Sequence, residues 1–451
     1  MTIVGLILFV LFFSVVLGML IGLLPGLPGV IGLLLFLPML SNLPPELAIL
    51  FFCCCICVTQ YFGSVSALLF RIPGEASSLP ALNVALQLKQ ATSVIKAYRV
   101  SAYTSLVASL TALGLLIIVY LMFRQYWAFI FSIKFILSWI IMLLVVLITQ
   151  NKKYIFNTAM IVLGICLSYA NEIPALNTLC NWQTSFCFLR TGPDDTLILL
   201  SLFCLPIIFI NSSIHLSDQS ITEKSYLPSW RTVVPFWKKG IMHGLLGFVA
   251  GFTPGAGLTL ASNLSGGIAL KQNSKKLLTI IGSAEASNNS AAISCAIPFL
   301  FMGLPINASE LVLENYLSSH FIRWDLQFLP SAFLGNQLGI SFFTVLIASL
   351  LICNILCFFA SGHGINFYRR LLAANSGYFF AIAKLFIVVS FIFLIYQNNL
   401  GWNNALFTVI FFGSIGYWAM STGRDITGLA IALVLGHFII EKFNMAWYLY
   451  F

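Results

Sequence analysis

The sequence has very little charge. Among its 451 residues Asp and Glu number 13 and Lys and Arg 22, so charged side chains are 8% of the chain, against about 25% in soluble domains. So few charges cannot cover a water-facing surface, which excludes a soluble enzyme. A hydrophobic content of 60% excludes a disordered or collagen-like chain. Residues 1–10 contain no Lys or Arg, so no cleavable signal peptide is expected. Motifs for chemistry are missing as well: there is no His-Glu-x-x-His, no Gly-x-Gly-Asp and no aspartate pair inside an apolar stretch. Cysteine is not scarce, at 11 residues, but Cys53, Cys54, Cys55 and Cys57 sit in an apolar run with no His or carboxylate beside them. They read as small hydrophobic filler rather than as metal ligands.

What is abundant is membrane-spanning sequence. The mean hydropathy is +1.00. Apolar stretches fall at 4–40, 47–70, 100–123, 126–149, 154–171, 196–211, 241–270, 277–303, 329–358, 376–396, 402–420 and 426–449. A span needs about 20 apolar residues, so the chain reads as an all-α polytopic membrane protein with about 10–12 membrane segments. The net charge of +9 is dispersed among the loops, which fits cytoplasmic loops and not a nucleic-acid surface.

Two stretches are broken by proline and glycine, at Pro25, Gly26 and Gly29 and at Pro254, Gly255 and Gly257. A break facing lipid would strand backbone groups at several kcal/mol each, so it must be buried in protein or line a cavity. The breaks are copies: Gly18, Gly22, Pro25 and Gly26 align with Gly247, Gly251, Pro254 and Gly255 at one offset of 229 residues, and Pro73 and Ala76-Ser77 match Pro305 and Ala308-Ser309 at 232. This spacing implies an internal duplication, with a first repeat over 1–211, a cytoplasmic linker over 212–240 and a second repeat over 241–451. Paired interrupted segments point to a transporter site at the repeat interface.

Basic residues set the orientation. Arg71, Lys89, Lys96, Arg99, Lys152, Lys153, the loop 212–240, Lys271, Lys275, Lys276, Arg369 and Arg370 belong inside. Loops around Glu172, Asp194 and Asp195, and around Glu310, Glu314 and Asp325, then fall outside. For 212–240 and 271–276 both to be inside, 241–270 must enter and return as a re-entrant hairpin, which makes the repeats inverted. The alternative is a single crossing and parallel halves. Cys180 and Cys187 would form an external disulfide if their loop faces an oxidising compartment. His243 reads as interfacial, Lys384 as snorkelling, and Arg71 as either a substrate contact or a positive-inside anchor.

The richest polar stretch runs from Gly282 to Ser294 inside an apolar segment. Glu285, Asn288 and Asn289 lie at i, i+3 and i+4, on one helical face. An intramembrane carboxylate is by default a functional hypothesis: the face suits Na⁺, or a proton on Glu285. The competing reading is hydrogen-bonded helix packing. Helix N-termini at the breaks, with Thr253, Ser64 and Ser66, suit an anionic substrate, while Gly-x3-Gly spacing there equally suits close packing.

These motifs resemble the large membrane subunit of tripartite tricarboxylate transporters, the TctA family. The resemblance rests on Leu24-Pro25-Gly26, Leu43-Pro44-Pro45, Tyr61-Phe62-Gly63-Ser64 and Ile72-Pro73-Gly74. In the second half it rests on Pro254-Gly255 with Gly257, on Glu285 with Asn288-Asn289, on Pro298, and on Gly303 with Pro305. The chain departs from the family pattern at Ala284, at Ile306 and around Asn83. The resemblance implies a bacterial inner-membrane permease that imports carboxylates on an ion gradient. A periplasmic solute-binding protein and a small membrane subunit would be its partners. The residues by themselves support a secondary transporter for a small organic anion, with no cofactor beyond a coupling Na⁺ or H⁺. A polytopic membrane enzyme and a non-transporting assembly subunit stand as the alternatives.

Overall fold

In a computed structural model of the chain the described residues are 3–23, 33–34, 43–65, 67–68, 76–88, 91–126, 133–149, 153–168, 197–198, 201–202, 205–209, 231, 233–254, 257–272, 276–319, 322, 341–397, 402–422, 424 and 426–450. Every regular element among them is helical. In the first half these are α1 (Ile3–Leu23), α2 (Pro45–Val65), α3 (Leu79–Gln87), α4 (Ala91–Gln125), α5 (Ile133–Thr149), α6 (Tyr154–Ser168) and α7 (Leu205–Phe209). Then follow α8 (Trp237–Ala250), α9 (Gly257–Gln272), α10 (Leu277–Ser294), α11 (Ala296–Met302), α12 (Ala308–Ser319), α13 (Phe342–Gln397), α14 (Trp402–Ser421) and α15 (Thr427–Tyr450).

Among the described residues four helices are long and apolar enough to cross a membrane: Val4–Leu23, Pro45–Val65, Val94–Gln125 and Phe342–Ser361. Shorter apolar helices cover Ile136–Val145, Tyr154–Ser168 and Ala405–Ala419. The chain is an all-α polytopic membrane protein, and its outward faces are apolar, as at Phe12, Ile155 and Val249. A soluble fold would hide such side chains, but lipid is their proper solvent.

The centre of the molecule is α10, from Ile280 to Ser294 buried at every residue. It packs against α4, α8, α9, α2 and α3. Serine and asparagine are poor helix formers, so the neighbours and not intrinsic propensity hold this helix. Outside it, α1 lies on α2, α13 on α2 and α4, and α15 on α6 and α5. The halves of the chain therefore interdigitate.

Segment 241–270 lies largely within two helices, α8 and α9. Helices α8 and α9 pack on each other, and the Lys239 ammonium at the start of α8 donates to Gln272 Oε1 at the end of α9 (3.2 Å). The chain thus returns to the level at which it began. With 14 and 16 residues, each arm is about 21–24 Å long, short of a hydrocarbon core of about 30 Å.

Two sequence expectations change. The stretches 329–358 and 376–396, read as separate spans around a basic loop at Arg369 and Arg370, lie largely within one 56-residue helix, α13. No proline occurs between 342 and 397 to stop it, and its polar middle continues the helix. The second change concerns Glu310, expected in an external loop but buried at the start of α12. Its carboxylate accepts from Ile306 N–H (2.7 Å) and Asn307 Nδ2 (2.6 Å), while Asn307 Oδ1 accepts from Glu310 N–H (3.0 Å). That reciprocal pair caps the helix.

Candidate functional site

Small residues on α10 let its neighbours close in. A Cβ on Gly282 would sit 3.0 Å from Val100 on α4, and one on Gly247 would sit 2.7 Å from Ser287 Cα. Ser290 Oγ donates to the Gly244 carbonyl of α8 (2.6 Å). With α10 buried from Ile280 to Ser294, its polar side chains face neighbouring helices and look for partners there.

Some find partners. Asn288 Nδ2 donates to Gln60 Oε1 on α2 (3.2 Å), which also accepts from Ser77 Oγ (3.0 Å). Asn289 Nδ2 donates to Ser105 Oγ on α4 (2.9 Å) and to the Glu285 carbonyl (3.0 Å). Nearby, Ser64 Oγ donates to the Tyr61 carbonyl (3.0 Å) and accepts from Ser101 Oγ (3.5 Å), while the Tyr61 hydroxyl donates to the Ala102 carbonyl.

Glu285 does not. It is fully buried, and neither carboxyl oxygen has a hydrogen-bond partner among the described residues. The Ser64 hydroxyl is close enough to bear on that carboxyl, but not in hydrogen-bonding geometry. Asn288 Oδ1 is unpartnered too. Because the amide nitrogen of Asn288 is held by Gln60, its oxygen is left as an acceptor. Three acceptor oxygens on one helical face, a turn apart, with no donor, form an environment for a cation or for a protonated carboxyl.

The residues named from sequence fall into two places. Glu285, Asn288, Asn289 and Ser64 meet where α10 crosses α2 and α4. Thr253, Pro254 and Gly257 lie at the tip of the α8–α9 hairpin, where Gly251 packs on Ala291 and Ser294. Ala291 is six residues beyond Glu285, about 9 Å along the helix. Pro25, Gly26, Gly29, Ser66, Arg71, Gly255, Cys180 and Cys187 lie outside the described residues. No cluster of His, Cys, Asp and Glu fit for a metal occurs among the described residues.

His243, expected at the interface, is fully buried on α8, and neither ring nitrogen has a partner among the described residues. The Gly240 and Gly244 that flank it draw α8 onto Val107 and Ala108 of α4, which seals the ring inside. Gln60, Ser77 and Ser105 are partners that sequence reasoning missed. The available signal was a stripe at Ser101, Ser105 and Ser109, spaced i, i+4, i+8 in an apolar helix, and a lone glutamine in another.

A helical membrane protein built around a buried polar helix, with an unpaired carboxylate at its core, has the architecture of a solute transporter subunit. The chain belongs to the tripartite tricarboxylate transporter TctA family, whose model matches residues 8–429. It is a multi-pass inner-membrane transport protein and not an enzyme. Membership implies a tripartite system. It is similar to an uncharacterized 52.8 kDa protein in the TAR-I ttuC' 3' region of Agrobacterium vitis, 24% identical over 459 residues, covering 96% of this chain and 86% of that one. No solved structure matches the chain.

Proposed function

We propose that this protein imports small organic anions, di- or tricarboxylates, across the bacterial inner membrane by coupling to an ion gradient. The observation that carries the reading is the unpartnered Glu285 carboxyl beside the Asn288 oxygen, which also lacks a partner among the described residues, in the buried core. A transporter gains from such a group because its charge is compensated only when the coupling ion is present. Asn289 and Ser64 complete the ion site. The substrate carboxylate docks at the hairpin tip, on Thr253 and the free N–H groups that open α9 after Pro254, Gly255 and Gly257. Pro25, Gly26, Gly29 and Ser66 supply the matching turn of the first half. The return of α8–α9 supports a re-entrant hairpin, and hence inverted repeats over 1–211 and 241–451. A periplasmic solute-binding protein delivers the anion and a small membrane subunit accompanies the chain.

Uptake of labelled di- and tricarboxylates into proteoliposomes tests this, with Na⁺ and pH gradients imposed separately. Wild-type protein should accumulate substrate on one gradient, and Glu285→Gln should lose that dependence. Equal gradient dependence in both proteins would end the ion-site reading. One observation favours a second reading for the asparagines: both amide nitrogens are committed to neighbouring helices. If they only pack, Asn289→Ala lowers thermal stability without changing ion dependence.

A further inference from the structure

Helix α6 lies at the periphery, far in packing terms from α10. It runs along α15 and touches α14 through the Phe156–Trp418 ring pair, 5.8 Å between centroids. Its outer face forms a shallow groove of about 660 Å³ between Tyr154 and Cys166, lined chiefly by Ile155, Ala159, Val162 and Leu163. The groove is apolar and open, and Ile155 is 90% exposed. Twelve residues of helix separate its ends, about 18 Å of rise, close to the depth of one leaflet in a hydrocarbon core of about 30 Å.

One end of the groove carries cations. Arg424, in the connection between α14 and α15, lays its guanidinium over the Phe156 ring (4.7 Å) and the Trp418 ring (5.3 Å). The backbone N–H of Arg424 donates to the Ala419 carbonyl (2.8 Å), which fixes the connection. Phe156 stands at i−3 and i−7 to the groove residues Ala159 and Leu163, so the guanidinium flanks the groove's first turn. Lys153, exposed, immediately precedes α6, one turn from Phe156. Among the described residues neither cation has a carboxylate partner. A guanidinium held against ring faces keeps its edge donors outward, in the fork that matches a phosphate. An isolated interfacial anchor would need neither the double aromatic clamp nor a groove beside it.

We propose that this face binds an anionic phospholipid of the cytoplasmic leaflet, its phosphate on Arg424 and Lys153 and one acyl chain along the α6 groove. The basic Lys152-Lys153 pair assigns this end to the cytoplasmic side, where anionic headgroups are attracted by basic sites between helices. The lipid would tie α6, α14 and α15 together at the rim of the molecule.

Native mass spectrometry of the detergent-purified protein tests the site, with phosphatidylglycerol and phosphatidylcholine added in equal amounts. Wild-type protein should retain phosphatidylglycerol at least fivefold over phosphatidylcholine. The Lys153→Gln/Arg424→Gln protein should lose that preference, and Arg424→Lys should keep most of it. Ala159→Trp, which fills the groove and leaves both cations in place, should also release the lipid. Unchanged phosphatidylglycerol retention in the double variant, or in Ala159→Trp, would overturn the proposal. So would equal thermal stabilisation by glycerol 3-phosphate, since it has a phosphate and no chain.

Discussion

In the first half of the chain α1 lies on α2 at Gly18 and Gly22, where an added Cβ would meet Val58 and Phe62. In the second half α8 lies on α10 at Gly247 and Gly251, where it would meet Ser287 and Ala291. All four contact positions of the first pair map onto the second at one offset of 229 residues. What fills the rest of the receiving helix differs in part. On α2 it is Cys53, Cys54, Cys55 and Cys57, all buried, beside the buried polar Thr59 and Gln60. On α10 it is Asn288, Asn289 and a bare carboxyl. Backbone approach is set by where the glycines stand, and residues that do not touch the partner helix are free to diverge. The shared device supports the proposed duplication, and the contrast places the buried carboxyl in one copy only.

The largest effect should come from breaking the device itself. Gly247→Val places a Cβ 2.7 Å from Ser287 Cα, backbone that cannot yield, and should cost about 3 kcal/mol or prevent folding. Gly18→Val should do comparable damage, at 2.7 Å from Val58 Cβ. Gly267, with open space beside it, gives the control: thermal unfolding in detergent that ranks Gly267→Val with the other two would break the comparison. A smaller loss, about 2 kcal/mol, is expected for Gln60→Leu, which strands the Ser77 and Asn288 donors at once. If its unfolding temperature matches wild type, the bridge between α2 and α10 contributes nothing. Glu285→Gln should move the other way and raise stability by about 1 kcal/mol while uptake loses its ion dependence, because a neutral amide replaces an unpaired carboxyl. A stability loss there would make Glu285 structural. The smallest change belongs to α2: Cys54→Ala should cost under about 1 kcal/mol and leave uptake intact, and lost uptake would show that the cysteines are not filler.

How much of this was legible beforehand depends on whether the signal was local. Glu285 stood out because a carboxylate in an apolar run is costly wherever the run packs. The lysines at both ends of 241–270 suggested a hairpin there, since charge prefers one side, and the proposal of a re-entrant hairpin rests on that together with the packing of α8 on α9. The partners of the site were not legible. Gln60 and Ser105 are single polar residues whose meaning comes from a helix 228 and 184 positions away in the chain, and Ser77 gains its meaning through Gln60. Burial of His243 follows from Gly240 and Gly244, which bring α8 onto α4 and which sequence reading did not single out. The unbroken α13 was missed because polarity around Arg369 was read as a loop, whereas nothing in those residues terminates a helix.

Burial of α10 from Ile280 to Ser294 also bears on how the protein is made. It is absent from the helices apolar enough to enter a bilayer unaided, and Glu285 alone adds a few kcal/mol against insertion. The translocon therefore has little reason to release this segment into lipid by itself. Its entry depends on surfaces already waiting: α2 and α4, synthesised earlier, and the α8–α9 hairpin that precedes it. The first half acts as a docking template for the second, so membrane biogenesis is ordered along the chain. A ribosome that stalls before α10 leaves an open groove, and a chain that lacks α4 leaves α10 as an unburied polar helix that quality-control proteases can recognise.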